Sequence, residues 1–186
     1  GTNTITNLGT ITNGNGNAPI TIKDGAGVTL ENSGTISSAG QYGINADNAF
    51  SPTITNSGTI SASVSEANGI GINLAQNDAE NLGSGAAITN SGTIDALGTD
   101  ADGIRIGDGT GVYNDVTITN SGTIAGGDNS IWIDGSGTTG INIICLQNNP
   151  TNLDMLELNI TASLLYFNQK NFFESTPNSL FNSIKQ

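Results

Sequence analysis

Histidine is missing from this chain altogether, which removes His-based catalytic triads and imidazole metal sites from consideration. Cysteine occurs once, at Cys145, so no intrachain disulfide can form. Cys145 lies in the apolar run Ile143-Ile144-Cys145-Leu146 and reads as a packed core thiol. A long repetitive protein held by stacking can persist outside a cell without cross-links.

Positive charge is nearly as scarce. Lys23, Arg105, Lys170 and Lys185 face 16 acids, for a net charge of −12. Nucleic acid needs clustered Lys or Arg to displace counterions, so it is a poor partner, and the same sign argument disfavours an anionic membrane surface. No apolar run approaches the roughly 20 residues of a transmembrane helix. No signal peptide opens the sequence, which starts inside a repeat, and an upstream portion is expected to have been removed. Glycine is absent after Gly140: all 26 lie at or before it, whereas four of the five Phe residues follow it. Two regions are therefore expected, 1–140 and 141–186.

What the sequence has is a repeat. TITNSGTI occurs at 53–60 and again at 117–124, with near-copies at 4–11, 29–36 and 87–94. The asparagines Asn7, Asn32, Asn56, Asn90 and Asn120 mark steps of 25, 24, 34 and 30 residues. A unit of about 24 residues with variable insertions describes them. Disorder, the alternative reading of a Gly/Asn/Ser/Thr-rich chain, does not require Ile at the same two positions of every unit.

At period two, Ile54 and Asn56 point one way and Thr53 and Thr55 the other. Ser57-Gly58 bends the chain, and Thr59-Ile60 begins a second strand. A third strand follows in most units, at Ile20-Thr21-Ile22, Gly43-Ile44-Asn45, Gly69 to Leu74, Gly103 to Ile106 and Ser130 to Ile133. Three strands and three corners make one coil of a solenoid, about five to six coils in all. Stacked coils align Ile5, Leu30, Ile54, Ile88 and Ile118 in one column and Ile11, Ile36, Ile60, Ile94 and Ile124 in another. Gly9, Gly34, Gly58, Gly92 and Gly122 hold the corner. The asparagines form a column whose amides can bond from coil to coil. The excess over 24 residues falls at Asn77 to Gly85 and Gly107 to Asp115, expected to leave the barrel as surface loops.

The ITNSGTI block with its GI-x-I strand resembles the passenger domains of bacterial autotransporters and related surface proteins. The resemblance covers about 1–140 and implies an all-β, right-handed parallel β-helix. The segment Asp154 to Ile160 alternates as one more strand and looks like the D-x-L-x-L stretch that often ends such regions. Asn178 to Lys185 places Leu180, Phe181 and Ile184 at helical spacing, a candidate short terminal helix within a C-terminal cap. The family's membrane-embedded β-barrel is not contained in this chain.

Parallel β-helices also host polysaccharide lyases and glycosidases, which use paired carboxylates, or calcium with a basic residue. The candidate cluster is Asp95, Asp100, Asp102, Arg105 and Asp108. Asp100-Ala101-Asp102-Gly103 resembles the start of a calcium loop, but Gly111 occupies the position where its last ligand, Glu, should stand. These acids are expected to be solvated loop residues, and no cofactor or metal is assigned. Trp132 is expected to face outward from its strand, where it could stack on a sugar or pack beneath a loop. The pairs Thr4/Thr6, Thr53/Thr55 and Thr117/Thr119 are similar to the arrays of insect β-helical antifreeze proteins, interrupted by Glu31 and Ala87.

The expected function is that of a non-enzymatic, secreted or surface-displayed stalk or adhesin on the bacterial outer-membrane exterior. Its expected partner is a host-cell, matrix or glycan surface ligand. The alternatives are a carbohydrate-active site on the Asp100 to Asp108 loop and, further off, ice binding.

Overall fold

A computed structural model describes residues 3–23, 27–63, 69–75, 85–107, 113–134 and 139–145, with the backbone of strands 156–159 and 166–169. Among the described residues, eighteen strands run in a repeating order through three parallel sheets. The first sheet stacks β1 (Asn3–Asn7), β4 (Val28–Asn32), β7 (Thr53–Asn56), β10 (Ala87–Asn90), β13 (Thr117–Asn120), β16 (Asn142–Cys145) and β18 (Tyr166–Gln169). The second stacks β2 (Thr10–Asn13), β5 (Thr35–Ser38), β8 (Thr59–Ser63), β11 (Thr93–Leu97) and β14 (Thr123–Gly126). The third stacks β3 (Ile20–Lys23), β6 (Tyr42–Asp47), β9 (Ile70–Ala75), β12 (Asp102–Ile106), β15 (Asn129–Asp134) and β17 (Leu156–Asn159). Five successive triplets thus form complete coils of a parallel β-helix, with β16, β17 and β18 continuing two of its sheets.

The register is the one the block dictates. Ile5, Leu30, Ile54, Ile88, Ile118 and Ile143 pair in sequence on the first sheet. Ile11, Ile36, Ile60, Ile94 and Ile124 do so on the second. The third sheet contributes two more columns. Ile20, Ile44, Ile72, Ile104 and Ile131 form one, and Ile22, Ala46, Leu74, Ile106 and Ile133 the other. Nearly all of these side chains are buried, and each buried Ile contributes roughly 1.5–3 kcal/mol. The aliphatic columns are the main stabilising term.

Corners explain the glycines. A Cβ on Gly34, Gly58, Gly92 or Gly122 would overlap the glycine carbonyl of the coil before it. The glycines near the start of the third strand meet two neighbours. A Cβ on Gly71 or Gly103 would stand 2.5 or 2.6 Å from the Gly103 or Ser130 carbonyl oxygen of the next coil and 2.8 Å from Cγ2 of Ile94 or Ile124 on the second sheet. Glycine there lets the two sheets close on one another.

The third corner is present, with a left-handed residue that the sequence did not announce. Just before β4, β7, β10, β13 and β16 the backbone turns left-handed, at Gly27 (φ 71°), Ser51 (47°), Gly85 (76°), Asp115 (54°) and Gly140 (71°). Glycine adopts this region freely, whereas Ser and Asp are held there at some cost. The next residue turns inward, giving a further apolar column: Val28, Pro52, Ala86, Val116 and Ile141.

The second expected insertion is narrower than its sequence suggests. Gly107 is buried and its N–H donates to the Leu74 carbonyl at 2.9 Å. Tyr113 is wholly buried, and its hydroxyl donates to the Ala49 carbonyl at 2.6 Å, two coils away. The expectation of a surface loop from Gly107 to Asp115 is therefore wrong at both of these residues: a large aromatic ring fills the corner. Asn77 to Ser84, within the first expected insertion, lies outside the described residues, as does the candidate helix at Asn178 to Lys185. The strand expected within Asp154 to Ile160 is present as β17.

Candidate functional site

The interior is taken up by the aliphatic columns and the asparagine ladder. Asn7, Asn32, Asn56 and Asn90 each donate from Nδ2 to Oδ1 of the next asparagine, at 2.7, 2.7, 2.8 and 2.8 Å. Each Nδ2 also reaches a threonine carbonyl of the next coil, at 3.0–3.1 Å. All donors point the same way along the stack. Past Asn120 the register continues with Cys145 and then Gln169, so the asparagine column stops at the fifth coil.

Any ligand chemistry must therefore lie on the outward faces. On the first sheet, Thr4, Thr29, Thr53, Ala87 and Thr117 form one outward row, with Thr6, Glu31, Thr55, Thr89 and Thr119 beside it. The second sheet carries an uninterrupted threonine row: Thr10, Thr35, Thr59, Thr93 and Thr123. The signal for that second row was present in every GTI of the sequence.

The third sheet is the chemically distinct face. Its outward row reads Thr21, Asn45, Asn73, Arg105 and Trp132. Asn73 donates to the Asn45 amide oxygen at 2.8 Å. Arg105 lies over the Trp132 ring, with its guanidinium carbon 4.2 Å from the centroid, a cation–π contact. Trp132 does face outward, half-buried beneath an arginine.

Arg105 is anchored from the other side by Asp102. Its Nε donates to Asp102 Oδ2 at 2.9 Å, and a terminal nitrogen donates to the same oxygen. Asn129 donates to Asp102 Oδ1 at 2.9 Å and to Asp128 Oδ2 at 3.0 Å. Asp102 is only 2% exposed at the start of β12. The expectation of a solvated loop acid fails for it, because a paired carboxylate with both oxygens bonded can be buried. The other candidates do not converge. Asp95 stands on the second sheet beside Ser61 and Ala125, Asp100 is exposed in a turn, and Asp108 lies outside the described residues.

Among the described residues no group of three His, Cys, Asp or Glu side chains is placed to hold a metal ion. The site can offer a planar cation on an aromatic face and, elsewhere, rows of hydroxyls at the strand spacing of about 4.8 Å. Comparison of the chain with protein-family models, with curated proteins and with solved structures finds no match.

Proposed function

We propose that this chain is a non-catalytic β-helical segment of a secreted or surface-displayed bacterial adhesin. It acts as a rod that holds outward side chains against a host-cell, matrix or glycan ligand. The observation that carries the reading is the continuous in-register stack. The same aliphatic and asparagine columns run through all five complete coils, giving a body whose length is set by coil number and whose outer faces are regular. The resemblance of the ITNSGTI block to autotransporter passengers points the same way, and a net charge of −12 favours solubility at high local density.

The Arg105–Trp132 pair is the part of this surface best suited to a sugar, through the outward N–H groups of the guanidinium that the indole face supports from beneath. The arrangement offers less to hydrolysis. Of the candidate acids, Asp102 already has both oxygens engaged by Arg105 and Asn129.

The test is adhesion together with turnover. Beads coated with the chain should bind epithelial cells, matrix proteins or a glycan array, and incubation with polysaccharides, with or without calcium, should release no reducing ends. Release that is lost in an Asp100→Asn variant would replace the adhesin by an enzyme. Failure to bind any of the three surfaces would remove the adhesin reading.

A further inference from the structure

The front face of the first coil keeps the block's residues without the neighbours that explain them. In later coils the corner is gripped from in front. Ser33, Gly34 and Thr35 donate their N–H groups to the Asn7 and Gly9 carbonyls at 3.0, 3.2 and 2.8 Å, and the same triplet recurs at Ser57, Ser91 and Ser121. Among the described residues no coil carbonyl faces Leu8, Gly9 and Thr10 in this way.

Three further observations fall on the same face. Ile5 is 37% exposed, whereas its column partners Leu30 and Ile54 are fully buried. Asn7 Oδ1 accepts only the nearby Gly9 N–H, at 3.2 Å, whereas Oδ1 of Asn32, Asn56, Asn90 and Asn120 accepts an amide from the coil before. Gly9 has nothing within 4 Å of where a Cβ would stand, and its φ is not left-handed, so nothing around it requires glycine. Every other glycine of that column is required by the coil in front of it.

From these we infer that the front face of the first coil is a docking surface for one more parallel coil carrying the same block. The incoming strand places an aliphatic side chain over Ile5 and directs an asparagine Nδ2 at Asn7 Oδ1. Its glycine carbonyl fills the space in front of Gly9. The interface is continuous with the coil–coil interfaces already present in the molecule, and the direction of the asparagine donors selects an occupant whose own asparagine donates toward Asn7. A second copy docking head to tail presents no asparagine in register, since the positions beyond Asn120 are Cys145 and Gln169, and is distinguished by the experiment. Leu8, 79% exposed, stands where later coils have a serine whose hydroxyl makes a 3.4 Å bond to the coil in front. The incoming coil forgoes that one contact and covers apolar surface in its place.

The experiment joins a copy of residues 29–52 directly to Thr4, which takes the place of Thr53, in the otherwise full chain. Amide exchange at Leu8, Gly9 and Thr10, the N–H groups that gain carbonyl partners, is expected to slow by about 10-fold or more against the parent, and the melting temperature to rise. Gly9→Ala should leave the unextended chain unchanged and abolish the new protection in the extended one, because the added methyl meets the incoming glycine carbonyl. Exchange unchanged by the added coil, or Gly9→Ala equally tolerated in both chains, overturns the inference. So does concentration-dependent self-association of the unextended chain that protects the same amides, which would give the surface to a second copy.

Discussion

Replacing Asn90 by Asp alters the ladder with almost no change of shape. Asn90 accepts one bond, from Asn56 at 2.8 Å, and its two N–H groups donate to Asn120 Oδ1 at 2.8 Å and the Thr123 carbonyl at 3.0 Å, with the Gly92 carbonyl at 3.2 Å sharing one of them. An aspartate keeps the accepted bond and loses both donors, leaving a carboxylate against three oxygens. At a net value of about 1 kcal/mol per donor the loss is about 2 kcal/mol, or roughly 4–8 °C in melting temperature for a domain of this size.

The cost also depends on pH. Burial and the facing oxygens raise the carboxyl's folded pKa above its unfolded value of about 3.9. Below that value the group is neutral in both states and can return one donated bond. As pH rises toward the folded pKa the unfolded state ionises first, and stability falls by about 1.4 kcal/mol per unit before levelling off. Urea titrations followed by circular dichroism at pH 3.5 and pH 7 (chosen as about half a unit below and well above the free carboxyl value) give the variant-minus-parent difference directly. Asn45→Asp is the control. Asn45 accepts from Asn73 on an outward face, a role aspartate retains, so its cost should stay within about 0.5 kcal/mol. Equal stability of the Asn90 variant and the parent at pH 7 would refute the ladder as a stabilising element.

Two other substitutions separate inside from outside. Ile88→Asp puts an unpaired charge between Ile54 and Ile118, and should cost several kcal/mol and unfold at least the neighbouring coils, while Thr89→Asp on the outward face should stay within about 0.5 kcal/mol; melting curves matching the parent for both would contradict the stacking. Tyr113→Phe removes the bond to the Ala49 carbonyl and should cost about 1–2 kcal/mol at neutral pH. Burial pushes the Tyr113 phenol well above its ordinary pKa, so the unfolded chain ionises first and stability falls as pH rises past about 10; the Phe variant should show a shallower alkaline decline in melting temperature.

Most of the coil was legible because it rests on letters that repeat. Ile54, Asn56, Gly58 and Ile60 stand in the same order in each unit, and stacking places them over their equivalents, so period and register could be read together. The left-handed corner was not legible because what recurs in every coil there is a backbone angle, held by glycine at Gly27, Gly85 and Gly140 but by Ser51 and Asp115 in the other two. Tyr113 was missed for a related reason. It occurs in one coil only, in a stretch whose extra length resembles a loop, and its burial depends on space left at a corner two coils back. Asp102 misled by composition. In sequence it belongs to a run of acids, but the strand pairing sets it beside Asn129 and its own side chain turns to Arg105.

The same logic separates what the repeat specifies from what it leaves free. Inward positions are constrained by the coil on either side, so a change at Ile104 is felt at Ile72 and Ile131. Outward positions answer to fewer neighbours, and the third sheet passes from Thr21 through Asn45 and Asn73 to Arg105 and Trp132 with no break in the aliphatic columns beneath. A solenoid can therefore change the chemistry of its surface coil by coil at little cost to its stack. That freedom is why the octapeptide announces the fold so clearly and says so little about surface chemistry. The chemical variety of the surface lies in the residues that do not repeat, and its most distinct group on the described surface is Arg105 on Trp132, with the buried Asp102 carboxylate that holds the arginine in place.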